Sequence, residues 1–128
     1  MASTPDALIL FAHGARDPEW RAPADALAQR LRGTLAGVRV EVAFLEFMSP
    51  TLPQAVDALA SAGVRHIAIA PLFWAEGGHL KREVPELLAQ CARQHPGVSI
   101  DRWPVLGDSA PVLDALAQVY ARRLQTGG

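Results

Sequence analysis

Four apolar runs rich in β-branched residues alternate with four longer stretches of helical periodicity, and this alternation most constrains the fold. The apolar runs cover residues 7–12, 38–45, 65–73 and 98–104. Each longer stretch repeats apolar residues at the i, i+3, i+4 and i+7 positions that form one buried helix face. Strands joined by helices long enough to cross over favour a parallel sheet. The pattern therefore predicts an α/β protein, a three-layer αβα sandwich around four parallel strands, of the flavodoxin-like type.

Local signals mark where some of these helices begin and end. Thr51 followed by Gln54 is a capping-box pattern, and Gly63 stands where a left-handed C-cap is expected. Asp108 is predicted to cap the fourth helix. That helix is expected to bury one apolar face, which consists of Leu113, Leu116, Ala117, Tyr120 and Leu124.

Length and composition limit the classes of protein that this chain could belong to. Its 128 residues predict one domain over 1–128, with a core at about 6–124. A net charge of -1 without a basic block argues against nucleic-acid binding. The single cysteine, Cys91, permits neither an intrachain disulfide nor a cysteine-based zinc site and is expected to be buried. Short apolar runs and a start without a basic region predict a cytoplasmic protein without membrane spans.

Side chains able to bind metals or protons follow three of the predicted strands. His13 follows the first run, Glu46 follows the second, and His79 lies a few residues beyond the third. In open α/β sheets, ligands bind beyond the carboxyl ends of the strands, where the strand order reverses. Two imidazoles and a carboxylate that meet there would form a ligand set for a divalent transition metal.

Neighbouring residues give this edge a more specific chemistry. Arg16 could hold a substrate carboxylate by a bidentate contact. Gly77 and Gly78 free their loop to approach something flat or bulky, and Trp74 offers a stacking surface. Glu46 lies among apolar neighbours, so partial desolvation would suit it as a proton acceptor or third ligand.

Each of these positions also has a structural explanation that needs no ligand. His13 could cap a strand, His79 could begin a helix after a flexible loop, and Glu46 could be an exposed charge at a strand end. The coincidence of two histidine loops at one predicted edge favours the functional interpretation.

Three segments of the chain, taken in order, resemble one known family. Residues 11–18 (FAHGARDP) are similar to the HGSRDP opening of the sirohydrochlorin chelatases, the cobalt and iron chelatases of cobalamin and sirohaem synthesis. Residues 42–50 (VAFLEFMSP) resemble the second-strand segment of that family. Residues 71–85 (PLFWAEGGHLKREVP) resemble its PLF…GH…DIP segment. The resemblance extends from about residue 8 to residue 106, and this chain matches one chelatase-like half.

The resemblance implies a metal chelatase, a lyase that inserts a divalent ion into a sirohydrochlorin-type tetrapyrrole. His13 and His79 would be the metal ligands, His13 would also accept a pyrrole proton, and Glu46 would assist. Acidic peripheral groups of the substrate would meet Arg16, Lys81 or helix N-termini. The residues implied to line the macrocycle are Met48, Trp74, Ala75, Glu76, Gly77, Gly78 and His79.

The same resemblance implies the partners of the chain. The metal would be a substrate, with Co²⁺ favoured, Fe²⁺ next and Ni²⁺ also compatible with the ligands, and no organic cofactor is expected. A homodimer would hold the macrocycle between its subunits, without a nucleic-acid or membrane partner. Two departures from the family pattern are Ala15 in place of serine and Glu83 in place of aspartate.

Other functions remain open from the sequence. A metal or tetrapyrrole carrier on the same fold would bind without turnover, because fold and ligands do not establish catalysis. A phosphoryl-transfer enzyme with His13 as nucleophile is disfavoured, since Ala12 stands where an arginine would be needed. Dinucleotide binding is disfavoured because no GxGxxG motif follows the first strand.

Overall fold

Strand β1 (Ala7–Ala12) lies inside a four-stranded sheet, between β2 (Arg39–Phe44) and β3 (His66–Pro71). β4 (Ser99–Arg102) pairs with β3 at the edge, so the strand order is β2-β1-β3-β4, and every pairing is parallel. This computed structural model describes residues 4–127. The start without a basic region, from which a cytoplasmic location was predicted, lies partly outside that range.

Helices follow the strands in the predicted alternation. The four α-helices are α1 (Ala22–Thr34), α2 (Leu52–Ser61), α3 (Gly78–Gln94) and α4 (Ala110–Thr126). Short 3-10 helices, Pro18–Arg21 and Leu106–Asp108, precede α1 and α4. The predicted α/β architecture with four parallel strands is therefore confirmed.

The first predicted strand has the observed limits, whereas the other three were predicted too long. Predicted strands 38–45, 65–73 and 98–104 are each trimmed by one or two residues at both ends. The apolar pattern continues beyond the paired strand residues because residues such as Leu45 and Phe73 still pack against the core. Leu72 also donates a hydrogen bond from its N–H to the Phe11 carbonyl at 2.8 Å.

Alternate residues of β1 pack into two separate cores, which produces the three layers. One core lies on the side of α2 and α3 and includes Ala7, Ile9 and Phe11 from β1. The other core lies on the side of α1 and includes Leu8, Leu10 and Ala12. All six β1 residues are buried because side chains of a strand point alternately to the two faces.

The helix-boundary predictions are confirmed at α2 and wrong at α4. Thr51 and Gln54 form the predicted capping box, and Gly63 adopts a φ of +88° just after α2. Asp108 does not cap α4, because it ends the preceding 3-10 helix. Ser109 takes the N-cap position, without a side-chain hydrogen bond.

The predicted burial of the α4 apolar face is also wrong for the isolated chain. No described residue of α4 is buried, and Leu113, Tyr120 and Leu124 are 41%, 61% and 87% exposed. The helix packs mainly against the 3-10 helix Leu106–Asp108 rather than against the sheet. The apolar face of α4, formed by Leu113, Leu116, Ala117, Tyr120 and Leu124, therefore stays uncovered within one chain.

Among residues 4–127, no helix combines the length and the apolar character that crossing a membrane would require.

Candidate functional site

The strand order places His13 at the centre of the carboxyl edge of the sheet. β1 has its sequence neighbour β2 on one side and β3 on the other, so the chain reverses its direction of winding at this strand. Beyond the ladder, the Leu45 N–H donates to the Ala12 carbonyl at 2.9 Å and the Glu46 N–H donates to the His13 carbonyl at 3.1 Å. These two bonds extend the β1–β2 pairing and bring Glu46 beside His13.

The side chains of His13 and Glu46 face one another across this edge. His13 Nε2 lies 3.6 Å from Glu46 Oε1, and the two side chains are 45% and 49% exposed. On the β3 side, the imidazole meets the Phe73 ring edge-on, with the centroids 6.3 Å apart. The imidazole thus lies between a carboxylate and an aromatic ring, while half of it still reaches solvent.

Gly14 makes the close approach of the β1 and β2 loops possible. Its φ is +93°, a conformation that costs a residue with a Cβ, and its backbone packs against the Glu46 carbonyl. A side chain at residue 14 would overlap that carbonyl oxygen. This overlap and the positive φ explain why the residue after His13 is a glycine.

The loop after β3 is fixed by backbone hydrogen bonds from the β4 side. The Leu106 N–H donates to the Phe73 carbonyl at 2.9 Å, and the Gly107 N–H donates to the Trp74 carbonyl at 2.8 Å. The Trp74 residue is nevertheless 58% exposed. A role of Trp74 as a stacking surface stays a prediction.

Glu76 forms an ion pair with Arg102, the last residue of β4. The side chain of Glu76 is only 10% exposed and that of Arg102 is 30% exposed. The sequence prediction did not single out Arg102, because a contact over this sequence separation leaves no local signal. The pair borders a cleft of about 570 Å³ whose lining comprises Ala75, Glu76, Lys81, Arg102, Trp103, Pro104, Val105 and Asp108.

His79 lies at the start of α3 and contacts a different carboxylate from His13. Its Nε2 is 2.7 Å from Glu83 Oε2, and its side chain is 86% exposed. The departure to glutamate at residue 83 therefore supplies the partner of His79. Over residues 4–127, no group of three or more histidine, cysteine, aspartate and glutamate side chains converges as a metal site. Among the described residues, no ion pair or ring contact joins the imidazoles of His13 and His79.

The two glycines before His79 are not crowded by neighbouring atoms. Gly77 is the N-cap of α3 and Gly78 is its first residue, and a Cβ on either would meet no atom within 4 Å. Glycine at these two positions therefore leaves open space beside the loop and is not required by tight packing.

Met48, which is predicted to line the macrocycle, is half-buried and packs against the core on the α1 side.

Cys91 and His95 lie on α3 and at its end, away from the carboxyl edge. Cys91 is buried, as predicted. The pKa of its thiol is raised, mainly by this burial and to a smaller extent by the nearby Asp57 carboxylate. His95 Nε2 lies 2.5 Å from Asp57 Oδ1, which links the end of α3 to α2. His95 therefore has a structural role in holding α3 against α2.

Residues 7–123 match the sequence profile of the CbiX family. The chain belongs to the CbiX family. A sirohydrochlorin cobaltochelatase of Methanococcus aeolicus is 34% identical over 83 residues, which are 65% of this chain and 58% of that protein. A sirohydrochlorin ferrochelatase of Priestia megaterium is 31% identical over 113 residues, which are 88% of this chain and 42% of the relative. This CbiX-family chain thus covers less than two thirds of these relatives.

Solved structures share the CbiX fold over nearly the whole chain. A putative cobalamin biosynthesis CbiX protein of Marinobacter aquaeolei superposes with a TM-score of 0.82 at 28% identity, covering 95% of this chain and 99% of that one. SirB of Bacillus subtilis with Fe³⁺ gives a TM-score of 0.78 at 27% identity, covering 98% of this chain and 48% of SirB. This chain therefore shares its fold with a protein of about its own length and with about half of the longer SirB.

Proposed function

We propose that this CbiX-family chain is a sirohydrochlorin chelatase that inserts a divalent metal ion into the macrocycle. The observation that carries the proposal is the His13–Glu46 pair, 3.6 Å apart, at the carboxyl edge of the sheet. The pair can hold or remove a proton beside an open surface. Family membership and relatives named as cobalt and iron chelatases of sirohydrochlorin support this choice of reaction.

Insertion exchanges two pyrrole N–H protons for one divalent ion, so a nearby base lowers the barrier. His13 accepts one pyrrole proton at Nε2, Glu46 stabilises the resulting imidazolium from 3.6 Å, and the second pyrrole proton leaves to solvent at the open edge. One imidazole nitrogen cannot hold the metal and the proton together. If His13 Nε2 delivers the ion, it therefore has to release that ion before it can accept a proton.

We propose His79 as a second metal ligand on the same edge. Its imidazole is exposed, but its nitrogen faces Glu83 in this structure, so metal binding requires exchange of that contact. Co²⁺ is the favoured substrate and Fe²⁺ is next, while Ni²⁺ also suits imidazole and carboxylate ligands. The relatives include both cobalt and iron chelatases. The cytoplasmic location and the lack of an organic cofactor stay predictions.

We also propose that two copies of the chain form a homodimer that holds the macrocycle between them. Support comes from α4, which exposes Leu113, Tyr120 and Leu124 in the isolated chain. Exposed apolar faces of this kind are typical of interfaces. A second copy would cover the face that the sequence pattern predicts to be buried.

The decisive experiment measures insertion by absorbance, with purified protein, sirohydrochlorin and either Co²⁺ or Fe²⁺. Multiple turnovers above the spontaneous rate are expected for the wild type. His13→Ala should lower kcat by about 10²-fold or more, the usual contribution of a general base. His95→Gln is the matched control, because His95 contacts Asp57 on another part of the molecule.

Two outcomes would contradict the proposal. Stoichiometric spectral change without turnover would indicate a tetrapyrrole or metal carrier, the competing hypothesis. Wild-type rates in the double variant His13→Ala, His79→Ala would show that neither imidazole takes part in the reaction.

A further inference from the structure

Phe47, the residue after Glu46, adopts an unusual backbone conformation for its type. Its φ is +67°, and within residues 4–127 it is the one non-glycine residue with a positive φ. An aromatic residue seldom occupies the left-handed region, and here the residue is 55% exposed, so burial does not explain it. Strain of this kind is concentrated at functional positions. The conformation therefore calls for a role at the edge of the sheet.

In this conformation, the ring of Phe47 contacts Arg16. The Arg16 guanidinium carbon lies 4.6 Å from the centroid of the Phe47 ring, which is a cation–π geometry. Arg16 belongs to the loop after β1 and Phe47 to the loop after β2. The contact thus joins the two loops that carry His13 and Glu46.

Arg16 is held by this ring while its charge stays uncompensated. Among the described residues, no carboxylate lies within ion-pair distance of Arg16. The nearby Arg21 differs, because it pairs with Asp25 at 2.9 Å and also donates to the Ser49 carbonyl. An arginine that is oriented but unpaired is suited to receive a carboxylate through two parallel hydrogen bonds.

The cleft beside Arg16 has room for such a group, and no acidic side chain lines it. The cleft measures about 320 Å³ and is lined by Ala15, Arg16, Pro18, Arg21, Phe47, Met48 and Ser49. Arg16 follows His13 by three residues and Phe47 directly follows Glu46. An anion in this cleft would therefore lie beside the proposed reaction centre.

We infer that Phe47 is a positioning residue, which holds the Arg16 guanidinium in place to bind a peripheral carboxylate of the tetrapyrrole. This inference rests on the proposed function, because it assigns one acidic group of that substrate to one cleft. Phe47 acts through Arg16, so it changes how well the macrocycle is bound and leaves the proton transfer at His13 unaffected.

Steady-state kinetics with the full chain, sirohydrochlorin and Co²⁺ test the inference. Phe47→Leu keeps an apolar side chain without a π face, and we expect KM to rise about two- to fivefold at unchanged kcat, in line with an exposed cation–π contact. Phe47→Tyr keeps the ring and should restore the wild-type KM. A Tyr variant as impaired as the Leu variant would overturn the inference.

Phe47→Gly separates positioning from a merely structural role. Glycine adopts a positive φ freely, so the thermal midpoint of this variant should not fall below that of the wild type. Its KM should nevertheless rise as in Phe47→Leu. A Gly variant with the wild-type KM would overturn the inference, since the ring would then be dispensable.

Binding without turnover distinguishes failure of this inference from failure of the proposed function. Fluorescence titration of the metal-free protein with uroporphyrin, a carboxylated tetrapyrrole, should give a higher Kd for Arg16→Ala and for Phe47→Leu. The double variant should bind no more weakly than Arg16→Ala alone. Additive losses, or no uroporphyrin binding by the wild type, would overturn the inference. Absence of metal insertion with this coupling intact would contradict only the chelatase proposal.

Discussion

The backbone of Gly14 packs directly against the carbonyl group of Glu46, in the loop that follows the neighbouring strand. The same two loops are joined by the hydrogen bond from the Glu46 N–H to the His13 carbonyl at 3.1 Å. The main chain therefore holds Glu46 beside His13.

Gly14→Ala should disrupt this arrangement. The new methyl group would overlap the Glu46 carbonyl, and alanine is disfavoured at a φ of +93°. Together these effects should cost about 2–4 kcal/mol of unfolding free energy. Denaturant unfolding checks the loss, and kcat should fall as well because Glu46 moves. Gly33→Ala is the matched control, since a Cβ there meets nothing within 4 Å. Equal stability of the two variants would contradict the assigned role of Gly14.

The Glu76–Arg102 pair should anchor the loop after β3. Arg102→Ala would leave the nearly buried Glu76 carboxylate without its partner, at a cost of about 2–4 kcal/mol in unfolding free energy. Adding Glu76→Gln to that variant should recover part of the loss, because the unpaired charge is removed. Chemical denaturation of the single and double variants measures both effects. A double variant less stable than Arg102→Ala would count against this explanation.

The apolar face of α4 should determine the oligomeric state. Tyr120→Glu places a charge in that face, and sedimentation should then show a monomer where the wild type is a dimer. Gln118→Glu adds the same charge on the opposite side of α4 and should leave the dimer intact. A wild type that is monomeric at all concentrations would contradict the dimer proposal.

Cys91 should make stability decrease at alkaline pH. Burial raises the pKa of its thiol in the folded state, so the native protein keeps the proton that the unfolded chain loses above a pH of about 8.5. The stability present below that pH is therefore lost as the pH rises toward the folded-state pKa. The unfolding free energy should fall by no more than about 1.4 kcal/mol per pH unit from this group.

Cys91→Ala provides the comparison for this pH dependence. The alanine variant has a lower stability at neutral pH because of the cavity, but its decline between pH 8 and 10 should be shallower. Urea unfolding at a series of pH values measures the two slopes. Parallel curves for the wild type and Cys91→Ala would refute the assignment.

The periodicity of the sequence predicts the sheet well because burial on both faces leaves a clear local pattern. β1 was predicted with its observed limits, and the capping box at Thr51 and Gln54 was found from residue type and spacing alone. Asp108 was misassigned because capping residues also occur in short 3-10 turns, which the sequence does not distinguish.

The contacts of the site depend on relationships that no local pattern encodes. The alternation of helices and strands predicts a parallel sheet, with the carboxyl ends of its strands at one edge, but it does not predict the strand order. The observed order places β2 beside β1, and His13 and Glu46 are therefore adjacent. The pairing of His79 with Glu83 and of Glu76 with Arg102 depends on side-chain conformers and on loop paths. The positive φ of Phe47 likewise cannot be predicted from its residue type.

The alternate packing of β1 has a consequence for how chains of this kind can diverge. Insertion or deletion of one residue between Ala7 and Ala12 would exchange the side chains of the two cores and turn the imidazole of His13 to the other face. We therefore expect viable variants to keep the spacing from the start of this strand to its histidine. The loops that follow the strands are free of this constraint and can vary in length.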